Sequence, residues 1–175
     1  MMIESTPPIF QAIIKTLLLI LPSYVANASP LLAVKIIKRQ TPIDGGKYFI
    51  DKRRVLGNGK TIEGSIAGVT MGILCSVGLH FLQLQSLEGG IVMSIGAILG
   101  DLLGSFIKRR IGIPRGKPLP IIDQLSFLLV AEAMYWLFLG PIPLYILITS
   151  IILTLILHPL TNAIAYLIGL KQVPW

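Results

Sequence analysis

Asp101, Ser105 and Lys108 lie at i, i+4 and i+7 in the stretch GDLLGSFIKRR, residues 100–110. On a helix these three share one face. A carboxylate, a hydroxyl and an ammonium pointing the same way suit a site that holds a metal ion together with phosphate. Yet the apolar run that carries them begins near Ile91, and an ionised carboxylate at membrane depth is expensive. A second carboxylate, Asp123, comes four residues after Leu119, at the start of the next apolar run. At 1.5 Å per residue, Asp101 lies roughly 10 Å before Lys108, and Asp123 roughly 6 Å beyond Leu119. Two carboxylates on adjacent, oppositely directed helices thus arrive at similar depth. Such a pair suits a shared divalent cation with hard oxygen ligands, such as Mg²⁺. The competing reading is a pair of intramembrane salt bridges from Asp101 and Asp123 to Lys108, Arg109 or Lys15. Glu132, nine residues past Asp123, falls on the opposite helix face near the membrane centre and outside this site.

A second source of donors is the segment TPIDGGKYFIDKRRVLGNGKTIEG, residues 41–64. Its GNGKT resembles a phosphate-binding P-loop, but Arg54 occupies the first glycine position and no strand precedes it, so the Walker reading fails. The chemistry of the segment survives that failure. Gly57 and Gly59 allow close approach of backbone N–H groups to an anion. Arg53, Arg54, Lys60 and Thr61 add donors, and the next helix starts near Thr61 with its positive end toward the same region. The alternative is a solvated basic loop lying on lipid headgroups. No Ser–His–Asp set and no HExxH occurs, and His80 and His158 read as packed side chains, the latter at a Pro159 kink.

The elements that must position these residues are membrane helices. Of the 175 residues 54% are hydrophobic and 13% charged, where a soluble domain carries about 25% charged. Five apolar segments, about 9–29, 62–84, 87–107, 119–139 and 143–169, are each near or above the ~20 residues needed to span a bilayer. The reading is an all-α integral membrane protein of five transmembrane helices in a single domain, with loops at about 30–61 and 108–118. The lone Cys75 excludes an internal disulfide. Fourteen of the fifteen Lys and Arg residues fall in those two loops and the tail, whereas 85–90 and 140–142 hold none. The positive-inside rule then places the N-terminus outside, and the C-terminus and the large first loop in the cytoplasm. The net charge of +7 is explained by that asymmetry rather than by nucleic acid. Lys15, the exception, is expected to snorkel or to face the bundle. ANA at 26–28 resembles a signal-peptidase site, but MMIESTPPIF has no cation, so the first span is expected to be retained. Gly64, Gly68 and Gly72, and likewise Gly96, Gly100 and Gly104, form GxxxGxxxG stripes for close helix packing. Asp101 adjoins the second stripe and should therefore face protein.

The combination ANASPLL (26–32), PIDGGK (42–47), RRVLGNGKTIEG (53–64), GDLLGSFIKRR (100–110), RGKPLP (115–120) and DQLSF (123–127) resembles the archaeal CDP-archaeol synthase family. These enzymes are related to the phosphatidate cytidylyltransferases. The resemblance implies a membrane nucleotidyltransferase that uses CTP, Mg²⁺ and an isoprenoid ether-lipid phosphate, unsaturated archaetidic acid, to make CDP-archaeol and pyrophosphate. It implies metal-site roles for Asp101 and Asp123, and phosphate contacts for Lys108, Arg109 and Lys117. It places the Gly57–Glu63 segment and Asn27 on the nucleotide side, with Lys47 of PIDGGK and Ser105 in the substrate-binding set. The histidine-glycine-glycine stretch of the broader cytidylyltransferases is replaced here by KPLPIID. Two other classes compete. A CDP-alcohol phosphotransferase needs DGxxAR and GxxxDxxxD, which are absent. A small ion transporter would spread its carboxylates across the membrane.

Overall fold

The computed structural model describes residues 8–171 and 173. Its helices are α1 (Pro8–Ile36), α2 (Ile62–Phe81), α3 (Leu87–Arg110), α4 (Pro120–Leu139) and α5 (Leu144–Leu167). All five are long and apolar enough to cross a bilayer. Among the described residues there is no strand beyond two isolated antiparallel bridges, Pro42 with Thr61 and Tyr48 with Arg54. The all-α, five-span expectation therefore holds, and the differences lie at helix ends.

α1 runs to Ile36, seven residues beyond the expected end, straight through Pro22 and Pro30. Two contacts support the extension. Pro30 packs beside Gly64 at the start of α2, where a Cβ on Gly64 would lie 3.4 Å from the Pro30 Cβ. Lys35, in the last turn where a cation suits the helix dipole, donates to the Gly169 carbonyl at 2.5 Å. α2 ends at Phe81, three residues early, because Gln83 turns into the left-handed region (φ 57°). α3 extends to Arg110, so Lys108, Arg109 and Arg110 occupy its last turn rather than a loop.

α3 is the central helix, packed against α1, α2 and α4, while α5 rests on α1 and α4. The apolar core is small: Ile20, Met93, Ala97, Phe127, Leu128 and Ala131 form most of it. Large apolar side chains such as Ile66, Leu99, Leu129 and Ile152 face outward, as a lipid-solvated bundle requires. Polar ties cross the interior. Ser23 Oγ donates to the Met93 carbonyl at 3.0 Å, and the Tyr24 hydroxyl to Thr154 Oγ1 at 2.9 Å.

The glycine stripes are the seams. A Cβ on Gly96 would lie 2.5 Å from the Ala131 Cα. One on Gly100 would strike the Ser126 carbonyl oxygen and lie 2.7 Å from the Phe127 Cα. A Cβ on Gly68 would lie 2.7 Å from the Ala26 carbonyl oxygen. The backbones of α3 and α4 thus meet closely just where Asp101 follows Gly100.

Candidate active site

α4 opens with Pro120 in its first turn, where the missing N–H costs nothing. Asp123 in that turn accepts from the Leu119 backbone N–H at 2.9 Å and from Lys108 Nζ at 2.7 and 2.9 Å. The carboxylate therefore caps its own helix and binds the last turn of α3. Asp101, one helix away, accepts from Lys60 Nζ at 2.6 Å. The Lys108 pair is among those anticipated as the alternative to metal; Lys60 as the partner of Asp101 was not anticipated.

Both ion pairs line a single cavity of about 830 Å³ at the loop end of the bundle. Of the residues expected there, Asn27, Gly57, Gly59, Lys60, Thr61, Asp101, Ser105, Lys108, Arg109, Lys117 and Asp123 line it together. Asp101, Ser105 and Lys108 present one face, as their spacing requires. Gly57 adopts φ +95°, which a side-chain-bearing residue rarely accepts, and Thr61 caps α2 by accepting from the Gly64 N–H at 3.1 Å. Apolar side chains line it as well, chiefly Leu21, Val25, Leu31 and Val34 of α1, with Ile98 of α3 and Ala165 of α5.

Four expected residues are engaged elsewhere. Arg54 lies in a fork on Asp44, with Nη2 at 2.6 Å and Nε at 3.2 Å from its two oxygens. Arg53 Nη1 donates to the Arg110 carbonyl at 2.6 Å and covers the end of α3. Glu63 accepts from the Thr41 N–H at 2.8 Å and its hydroxyl at 2.7 Å, closing the base of the loop. Lys47 is exposed on the outer surface of the loop. None of the four lines the cavity. Arg53, Arg54 and Glu63 hold the α1–α2 loop, whose centre is Asp44. Its side chain is 1% exposed and also accepts from the N–H groups of Leu56 and Gly57 at 3.0 and 2.9 Å. The Arg54 guanidinium above all, helped by those N–H groups and opposed by burial, holds the Asp44 carboxyl well below the usual carboxylate range. Arg110 is clamped by Asp51 at 2.8 Å and by the rings of Phe49 and Phe106, which ties the α1–α2 loop to the end of α3.

Glu132 is buried away from the cavity, as its helix face implied. Lys15 is exposed on α1. Other cavity residues went unforeseen: Tyr24, Arg115, Ser126, His158, Thr161, Asn162 and Lys171. The α5 members had a signal. His158, Thr161 and Asn162 fall at i, i+3 and i+4, a polar patch that continues the i, i+4 row of Ser150 and Thr154 along an apolar span.

Among the described residues no group of three or more His, Cys, Asp or Glu side chains is placed to hold a metal ion. The protein offers two carboxylates, and that donor set still fits Mg²⁺, which is commonly held by one or two carboxylates with substrate phosphates completing the shell.

A five-helix membrane bundle with a cation-rimmed, carboxylate-bearing cavity at its loop end defines a class, an intramembrane enzyme. The chain belongs to the CarS-like family of CDP-archaeol synthases, whose family model matches residues 9–175. CDP-archaeol synthase of Pyrobaculum islandicum is 46% identical over 159 residues, covering 90% of this chain and 96% of the relative. That of Staphylothermus marinus is 49% identical, covering 86% of each. That of Methanocaldococcus jannaschii is 41% identical, covering 95% and 99%. A solved structure described as an intramembrane enzyme for archaeal membrane lipid biosynthesis matches with a TM-score of 0.76 and 36% identity, over 83% of this chain and 91% of that one.

Proposed function

We propose that the protein transfers CMP from CTP to the phosphate of unsaturated archaetidic acid, releasing pyrophosphate and forming CDP-archaeol. The observation that carries this reading is one cavity with both charged and apolar lining. Asp101, Asp123 and the cations Lys60, Lys108, Arg109 and Lys117 line it, together with apolar side chains chiefly of α1. A nucleotide triphosphate suits the charged groups and a lipid chain the apolar ones.

The phosphate oxygen of the lipid attacks the α-phosphorus of CTP in line, and pyrophosphate leaves from the opposite side. That oxygen is anionic near neutral pH, so the step needs no strong base. Positioning and charge compensation supply the acceleration. Lys60 and Lys108, each already bound to a carboxylate, are placed to exchange that partner for phosphate oxygens. Arg109, Arg115 and Lys117 extend the cationic rim, and the Gly57 and Gly59 backbone admits the nucleotide closely. Asp101 and Asp123 would hold Mg²⁺, which supplies phosphate charge neutralisation when bound.

Asp101→Asn and Asp123→Asn remove charge at nearly constant volume. Each is expected to lower CTP-dependent pyrophosphate release, assayed in detergent with the lipid phosphate, on the order of 100-fold. Near-normal rates in both would overturn the metal assignment. CTP with Mg²⁺ should also raise the thermal unfolding midpoint, and ATP should not.

A further inference from the structure

Three polar groups near the end of α5 form a chain that determines the state of one of them. Lys171 Nζ donates to Asn162 Oδ1 at 3.0 Å. An ammonium has only donors, so the oxygen of the Asn162 amide must face Lys171 and its NH₂ must face the other way. That NH₂ lies 3.2 Å from His158 Nδ1. An amide NH₂ also only donates. Nδ1 therefore accepts, and the single proton of the neutral imidazole resides on Nε2. The ring plane is held by Phe127, with centroids 5.9 Å apart and planes 30° from parallel. His158 lines the same cavity as Asp101, Asp123, Lys60 and Lys108.

We propose that His158 presents a fixed Nε2–H to the cavity and donates it to a phosphate oxygen of the lipid substrate. This rests on the cytidylyl-transfer reading above and adds to it a contact that positions the acceptor. The choice of the lipid phosphate over the nucleotide follows from place. α1 and α5 supply most of the apolar lining and His158 belongs to α5, so a headgroup whose chains lie against those side chains comes to the helix that carries His158. The triphosphate arrives at the cations of α3, the α1–α2 loop and the α3–α4 loop. The charges acting on the ring are Lys171 from the tail and the carboxylates of Asp123 and Asp101 across the cavity, with Lys108 and Lys60 paired to those carboxylates. A neutral donor holds an oxygen without protonating the phosphate, which preserves the nucleophile.

Only two histidines occur in the chain, His80 and His158, so ring ¹⁵N resonances are assignable with one variant. In detergent at neutral pH, His158 should show a protonated Nε2 and a bare Nδ1. An Nδ1–H tautomer or an imidazolium there overturns the proposal. Adding the ether-lipid phosphate should shift the Nε2 resonance, whereas the same diether alcohol without phosphate should not. A shift with CTP alone and none with the lipid phosphate assigns the donor to the nucleotide and overturns the proposal as well. In kinetics, His158→Ala should raise KM for the lipid phosphate by about tenfold or more, the factor one hydrogen bond to an ionised group carries. KM for CTP should stay within about twofold, and His158→Gln, which keeps an N–H donor, should recover much of the loss. Equal KM changes for both substrates overturn it. Absence of transfer by the unaltered protein would instead defeat the functional reading, and the tautomer and lipid-shift measurements stand apart from that.

Discussion

At the scale of residues, the basic loop shows how one side chain can settle the fate of several. Asp44 is buried and accepts from Arg54 and from the N–H groups of Gly46, Leu56 and Gly57. Its carboxyl titrates lower in the folded chain than in the unfolded one. The ionised form therefore adds stability above the unfolded value of about 3.9, and that stability is lost as pH falls below it toward the native value. Amide protection at Leu56 and Gly57 is expected to decline progressively as pH falls below about 4, read by hydrogen exchange. Asp44→Asn should abolish the acid dependence and cost about 1–3 kcal/mol at neutral pH, the penalty of weakening donors to a buried group. Protection that stays flat with pH would show that the loop is held by other contacts. The same residue explains what was not legible beforehand. RRVLGNGKT reads as a phosphate clamp, but a guanidinium takes whichever carboxylate the fold brings to it. Asp44, ten residues before Arg54, is that carboxylate. Asp101 and Asp123 were legible because their depth follows from helix rise alone.

At the scale of elements, the five helices were readable because lipid imposes a length of about 20 apolar residues on each. Their ends were less readable, because the contacts that set them are tertiary, as Lys35 with Gly169 and Pro30 with Gly64 show for α1. The α3–α4 seam was visible as a glycine spacing, and its consequence is mechanical. Gly100 lets α3 lie against the α4 backbone one residue before Asp101. Gly100→Ala puts a methyl group against the Ser126 carbonyl and the Phe127 Cα, both backbone, so the helices must part. The expected result is a loss of about 2 kcal/mol or more of stability, in the range of core overpacking. Activity should fall further than stability alone dictates, since Asp101 moves relative to Asp123. Gly78→Ala is the control. It sits in α2 with no atom within 4 Å of its added Cβ, and should be neutral or stabilising by up to about 1 kcal/mol. Thermal unfolding of both variants, followed alongside pyrophosphate release, checks the contrast; equal behaviour would show that the α3–α4 seam does not depend on Gly100.

At the scale of the whole molecule, the decisive asymmetry is between the two ends of the bundle. The α1–α2 loop, the α3–α4 loop and the tail lie at one end by simple alternation of five helices, and they carry the cations that rim the cavity. The opposite connections, 82–86 and 140–143, contain no Lys or Arg. CTP is a polyanion that does not cross a bilayer, so a cavity that takes it must open where nucleotide is made. The positive-inside rule points the same end inward, and Lys15, exposed on α1, can extend its ammonium along the helix to the interface. Topology is therefore expected to be N-terminus outside and C-terminus inside. In a Cys75→Ser background, Pro141→Cys should react with an impermeant maleimide added to intact cells, and Lys38→Cys only after permeabilisation. The reverse pattern would turn the cavity to the outside, where the lipid phosphate could reach it but CTP could not, and the proposed reaction would lose its nucleotide.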